Sequence, residues 1–257
     1  MPQILYINPI GAAFSDKPLQ EYLDQEKAAQ TKLTVQSFTR GPHHLEYHYY
    51  ETLILADIIH RVRRAEKEGF DAVVIGCFYD PGLWEAREIT QKIIITAPAE
   101  SSMHIASTLG HRFSIIVGRK KWIPVMHTNV KKYGFQENLA SFKSIEMGVL
   151  DFHRDPEETK KRLINAAQEA VEIDLAEVII LGCTAQFGFF HELQLILGVP
   201  VIDSAIAALK YAEFLVELSQ RCQWSHSKKY CYESPPLEEI KQWKIAQQYH
   251  LGDLWSE

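Results

Sequence analysis

Seven short runs of β-branched and apolar residues recur along this chain with helix-length stretches between them, and that alternation limits the fold more than any other feature. The runs are QILYIN at 3–8, LTVQSF at 33–38, DAVVIG at 71–76, KIIIT at 92–96, RFSIIVG at 112–118, AEVIILG at 176–182 and VPVID at 199–203. Most are apolar at successive rather than alternate positions, the pattern of strands covered by helices on both faces of a parallel sheet. The segments between them read as helices. Leu53, Ile54, Ala56, Ile58 and Val62 fall at helical spacing over 53–68, and the pattern stops at Gly69. The stretch 155–174 opens Asp155-Pro156-Glu157-Glu158, a capping residue followed by proline at the first helical position and acids in the first turn. The expected class is α/β with parallel sheets.

The alternation also repeats as a block. GFDAVVIGC at 69–77 is echoed by DLAEVIILGC at 174–183, placing Cys183 106 residues after Cys77. Ala97 and Asp203 each stand 20 positions beyond their cysteine, and the strand ending at Asn8 matches the strand ending near Gly118. The reading is two pseudo-symmetric α/β halves with the active site in the cleft between them. Residues 1–97 plus about 204–257 form the first half, with the helix at 204–220 returning to it, and residues 98–203 form the second. Each cysteine then lies just past the C-terminal end of a strand, where open α/β sheets place their ligands. Beyond residue 222 the pattern fades, and this tail is expected on the surface or near the cleft, ending in a short helix.

Composition excludes several functions. The net charge of −6 and the lack of Lys/Arg clusters leave no footprint for nucleic acid. No apolar run approaches the ~20 residues of a membrane span, and the start has no signal-peptide layout. A cytoplasmic protein with a small-molecule substrate is expected, its four cysteines reduced and free to act as reagents. Two thiols across a cleft suit proton transfer at a carbon next to a carbonyl, where one group removes a proton and the other returns one to the opposite face. An ordinary thiol pKa of about 8.5, lowered by backbone N–H groups and a helix dipole, lets thiol and thiolate coexist near neutral pH.

Three stretches carry a resemblance to a known family: GCFYDPGL at 76–83, AESSMHIASTLGHRFSIIVG at 99–118, and LGCTAQFG with LGVPVID between 181 and 203. Over nearly the whole chain up to about residue 220, the sequence resembles the hydantoin and allantoin racemase branch of the aspartate/glutamate racemase superfamily. The resemblance implies two flavodoxin-like halves, Cys77 and Cys183 as catalytic acid and base, and no pyridoxal phosphate, other cofactor or metal. Asn8, in Tyr6-Ile7-Asn8-Pro9, matches the family's Asn-Pro element. Gly182-Cys183-Thr184-Ala185-Gln186 departs from the Gly-Cys-Ala-Gly-Met element common in hydantoin racemases. The thiol pair therefore carries over better than the substrate does. Relatives often assemble as homo-oligomers, although no interface stripe stands out here.

Further candidates surround the pair. Asn8 could bond a substrate carbonyl or ring N–H, or serve the strand-to-turn backbone. Phe78 and Tyr79 could wall the pocket, Gly118 marks the strand end matching Asn8, and Thr184 could donate to a substrate oxygen or cap a helix. Asp80, in Asp-Pro-Gly, reads first as turn chemistry. Phe187, Phe189 and Phe190 could size the pocket or pack a helix, and 41–52, rich in His and Tyr, reads as an entrance. Neither the histidines there nor Cys222, His226 and Cys231 make a convincing metal set. An aspartate/glutamate racemase would need cations such as Arg119, Lys120 or Lys121 for a free carboxylate. The same residues also fit a decarboxylase or isomerase built on this scaffold, or a two-lobed protein that binds a small ligand without reacting with it.

Overall fold

The structure, a computed structural model, describes residues 1–255. Residues 256 and 257, the end of the segment assigned to the first half, lie outside the described residues. Four parallel strands form the first sheet: β1 (Gln3–Asn8), β2 (Lys32–Ser37), β3 (Ala72–Ile75) and β4 (Ile94–Thr96), in the order β2-β1-β3-β4. The second repeats that order as β6-β5-β7-β8, with β5 (Phe113–Val117), β6 (Leu139–Ser144), β7 (Val178–Leu181) and β8 (Val201–Asp203). The expected α/β class with two flavodoxin-like halves is what the chain adopts. One strand is absent from the sequence reading. LASFKS at β6 is an edge strand, half-buried throughout, so it lacks the β-branched and apolar run by which the others are recognised.

Helices cover both faces of the first sheet, as its apolar central strands require. Leu5, Ile7, Val73 and Ile75 face α2 (His48–Lys67) and α3 (Leu83–Ile89); Ile4, Tyr6, Ala72 and Val74 face α1 (Asp16–Glu26) and α8 (Ser204–Cys222). On the second sheet, α4 (Pro98–Leu109), α5 (Ile123–Lys132), α6 (Pro156–Glu172) and α7 (Phe190–Leu197) share one buried cluster with the strands. Helix α6 starts as the sequence indicated, with the Asp155 side chain accepting the Glu158 N–H. Helix α2 begins earlier than expected, at His48, because Tyr50 and Ile54 already pack into the first half's core.

The tail lies on the first half. His226 Nε2 accepts the outward-facing N–H of Ile95 at 2.9 Å, covering the open edge of β4. Lys228 donates to the carbonyls of Arg87, Glu88 and Thr90 at the end of α3, and Tyr232 stacks on and bonds the buried Arg87. Two short helices follow, Leu237–Gln242 and Ile245–Gln248. No helix among the described residues is long and apolar enough to cross a membrane.

Candidate active site

The two cysteines are placed by matching backbone. The N–H of Gly76 donates to the Ile7 carbonyl at 2.8 Å, and the N–H of Gly182 donates to the Ile116 carbonyl at 2.9 Å, so β3 and β7 leave their sheets in the same way. The glycine before each cysteine is a packing requirement. A Cβ at Gly76 would lie 2.2 Å from the Tyr6 ring, and one at Gly182 would lie 2.7 Å from Ile115. After each cysteine the chain turns tightly: the Asp80 N–H returns to the Cys77 carbonyl and the Gln186 N–H to the Cys183 carbonyl, both at 2.9 Å.

Both thiols open on one cavity of about 410 Å³ between the halves. Asn8, Phe78 and Thr184 line it with them, as do Phe14 and Phe187. Its mouth is built from two loops, His43–Leu45 ahead of α2 and the stretch carrying Val149, Leu150 and His153 ahead of α6. The loops are clasped across the cleft by buried Glu46, which accepts from Arg119 Nη1 at 2.8 Å and from the Val149 N–H at 2.6 Å. Deeper in, the Thr184 hydroxyl donates to the Gly76 carbonyl at 3.0 Å and joins the two cysteine segments directly. Among the described residues, the cavity lining contains no Lys, Arg, Asp or Glu.

The family model for Asp/Glu/Hydantoin racemase matches residues 4–212, most of the chain and both cysteine segments. The chain belongs to that racemase family. A hydantoin racemase of Pseudomonas sp. (strain NS671) is 36% identical over 228 residues, covering 89% of this chain and 91% of the relative. The hydantoin racemase of Paenarthrobacter aurescens is 36% identical over 226 residues, covering 88% and 95%. Among solved structures, allantoin racemase from Klebsiella pneumoniae superposes with a TM-score of 0.85 at 27% identity, covering 92% of this chain and 94% of that one. These likenesses place the racemase in the hydantoin and allantoin branch, and its enzyme class is isomerase.

In this racemase the electrostatics of the thiols run opposite to the sequence expectation. Burial raises both: Cys77 is pushed well above the ordinary thiol range and Cys183 up to about 12. The Tyr79 N–H pulls Cys77 back, and the N–H groups of Ala185 and Gln186 pull Cys183 back, but desolvation outweighs them. Glu51 near Cys77 and Glu46 near Cys183 add repulsion to the thiolate forms. The short turn after Cys183 is a single 3₁₀ turn, Thr184–Gln186, which carries far less dipole than the helix the sequence suggested.

The remaining expected residues divide. The Asn8 amide donates to the hydroxyls of Ser15 and Ser37 at 3.0 Å, so this cavity residue also pins the turn behind it. Phe78 and Tyr79 are buried, Phe78 at the main cavity and Tyr79 at a smaller one of about 40 Å³ beside the two cysteines. Gly118 is not at the cavity. It is packed under the Trp122 ring, where a Cβ would sit 2.4 Å from a ring carbon, because the strand that ends there turns at once into the segment carrying Trp122. Phe187 lines the cavity, whereas Phe189 and Phe190 pack against the second core. His153 was not foreseen. It bonds the Ala185 carbonyl at 2.9 Å, stacks on Phe189, and is held neutral by burial, and no spacing in Asp151-Phe152-His153-Arg154 marks it. Arg119 faces Glu46 rather than the cavity, and Lys121 lies over the Tyr47 ring. Among the described residues no cluster suited to a metal ion occurs, and His226 is engaged at β4.

Proposed function

We propose that this racemase inverts C5 of a 5-substituted hydantoin bearing an apolar substituent, using Cys77 and Cys183 without a cofactor. The observation that carries this reading is a cavity into which two thiols from equivalent strand ends open and whose lining, among the described residues, has no Lys, Arg, Asp or Glu. A free carboxylate needs a charge-assisted partner once it leaves water. A lining without Lys or Arg therefore favours a neutral ring over aspartate or glutamate. Phe14, Leu45, Leu150 and Phe187 suit an apolar group better than the polar ureido arm of allantoin.

One cysteine, as thiolate, takes the C5 proton and becomes a thiol. The electron pair released from the C–H bond spreads onto the neighbouring ring carbonyl. The opposite thiol gives its proton to the other face and is left as the thiolate, so each turnover ends with the roles exchanged. The N–H groups of Tyr79, Ala185 and Gln186 act on the sulfurs and steady whichever one carries charge. Because the free thiols are held protonated, the first thiolate forms at a cost that an alkaline medium reduces.

The test is incubation in D2O with single enantiomers of alkyl- and arylmethyl-hydantoins, allantoin, aspartate and glutamate, following optical rotation and deuterium at the labile carbon. Racemisation with deuterium uptake on the apolar hydantoins is expected, with Cys77→Ser and Cys183→Ser each losing at least roughly a thousandfold. Activity confined to an amino acid or to allantoin would overturn the substrate assignment. Full racemisation by both serine variants would overturn the mechanism.

A further inference from the structure

Two buried aspartates outside the cavity lining bond to the chain around the cysteine segments, and their surroundings match part for part. Asp80, three residues after Cys77, accepts the N–H groups of Ala99 and Glu100 at the start of α4 and the Tyr133 hydroxyl, each at 2.9 Å. Asp203, at the end of β8, accepts the N–H groups of Ala205 and Ile206 at the start of α8, at 2.9 and 3.2 Å, and the Tyr22 hydroxyl at 2.8 Å. Tyr22 belongs to α1 and Tyr133 ends α5, the helices that follow β1 and β5. Helices α4 and α8 likewise follow β4 and β8. Each half thus has one carboxylate, two helix N–H groups and one tyrosine hydroxyl.

The carboxylates come from different places in the repeat. Ala97 occupies the position equivalent to Asp203, and Gln186 the position equivalent to Asp80, each pair 106 residues apart. Ala97 has no side chain to cap α4, and Asp80 reaches across from the turn after Cys77 to do so. Gln186 is fully buried, and its amide has no partner within the protein, while Asp203 takes up the cysteine segment by accepting the Gly188 N–H at 3.3 Å. Keeping one carboxylate per half at unlike positions points to a requirement for the assembly rather than for either residue's local turn.

Both assemblies cross the cleft. Asp80 belongs to the strand-end segment of the first sheet, and its partners sit on α4 and α5, which pack on the second. Asn129 of α5 reinforces it by donating to the Tyr79 carbonyl at 2.7 Å. Asp203 and Gly188 belong to the second half, and Tyr22 and α8 pack on the first sheet. Asp80 also holds a left-handed backbone, φ +51°, which a non-glycine residue keeps only where its surroundings fix it.

We propose that Asp80 and Asp203 are paired positioning residues that hold the Cys77 and Cys183 segments against the opposite half and so set the relation between the two thiols. The proposal rests on the reading of these cysteines as acid and base. A buried carboxylate is costly unless its donors are complete, so losing one donor loosens the assembly it holds. Misplacing a reacting group by an ångström costs up to about a hundredfold.

The decisive variants are Tyr133→Phe and Tyr22→Phe, which remove one hydroxyl and leave both carboxylates and both rings in place. Iodoacetamide labelling of Cys77 and Cys183 would be followed separately by peptide mass spectrometry across pH, with melting temperature, kcat and KM recorded alongside Asp80→Asn and Asp203→Asn. The expected result is selective. Tyr133→Phe changes the labelling rate of Cys77 about threefold or more and spares Cys183, Tyr22→Phe does the reverse, and kcat falls further than KM rises. Equal changes at both thiols that track melting temperature would overturn the proposal, as would changes in the asparagine variants with none in either phenylalanine variant. Labelling needs no substrate, so a wild-type protein inactive on every hydantoin would count against the activity while leaving this result readable.

Discussion

At the residue scale, the sequence singled out the two thiols proposed here as acid and base but not the field around them. Cys77 and Cys183 stand out because each follows a glycine at the end of a strand run, and the structure brings them to one cavity. Their protonation was not legible. Backbone donors near a thiol can be inferred from a turn, but the desolvation that outweighs them comes from side chains brought in by distant segments. A raised folded pKa keeps the thiol protonated through neutral pH, and thiolate appears only as pH rises toward that pKa. The labelling rate of Cys183 in the free protein should accordingly keep climbing above about pH 9, where an ordinary thiol with a pKa of about 8.5 levels off. kcat/KM for racemisation should rise over the same alkaline range if, as proposed, a thiolate is the proton acceptor. A labelling plateau near about pH 8 would show that the backbone donors, not burial, govern Cys183.

At the scale of elements, apolar and β-branched runs disclosed seven strands, and β6 escaped because, as a half-buried edge strand, its LASFKS carries too few such residues. Gly118 shows the complementary failure. The repeat placed it opposite Asn8 in the pattern, but the strand it ends runs on into Trp122, whose ring fills the space that a cavity would need. Glycines 76 and 182 have the same role at their strand ends with different tolerances. A Cβ at Gly76 meets the Tyr6 ring at 2.2 Å and the Ile7 carbonyl at 2.8 Å, whereas at Gly182 it meets a methyl of Ile115 at 2.7 Å and the Ile116 carbonyl at 3.0 Å. Gly76→Ala should therefore cost about 1–3 kcal/mol, and Gly182→Ala less, because its contacts are longer and involve a methyl group rather than a buried ring. Chemical denaturation of the two variants checks the order, and equal losses would mean that the Tyr6 ring moves aside.

On the scale of the whole molecule, the duplicated frame was legible because it is written into spacing, with cysteines and following strands recurring at constant offsets. What joins the halves was not. The Glu46 clasp, the Thr184 bond to Gly76 and the two aspartate assemblies all join residues distant in sequence through polar contacts that leave no periodic trace. The tail is the extreme case, since its His226 substitutes for a missing strand at the edge of β4. That bond requires a neutral imidazole, because Nε2 accepts. Burial first, then Arg87 and Lys228, lower the pKa of His226 to about 3. A folded pKa below the unfolded value of about 6.5 means that the unfolded chain binds the extra proton, so the contribution is complete above about pH 6.5 and is lost as pH falls toward about 3. One proton gives a slope of at most about 1.4 kcal/mol per pH unit across that window. Asp80, raised by burial to about 7, acts in the opposite sense, losing stability as pH rises past its unfolded value, so the wild-type curve alone mixes the two. The difference between wild type and His226→Gln separates them: glutamine can still accept the Ile95 N–H but does not titrate. Melting temperatures of the two proteins should run parallel above about pH 6.5 and converge or cross below it as the wild type loses ground. Parallel curves down to about pH 4 would mean that protonation of His226 leaves the tail in place.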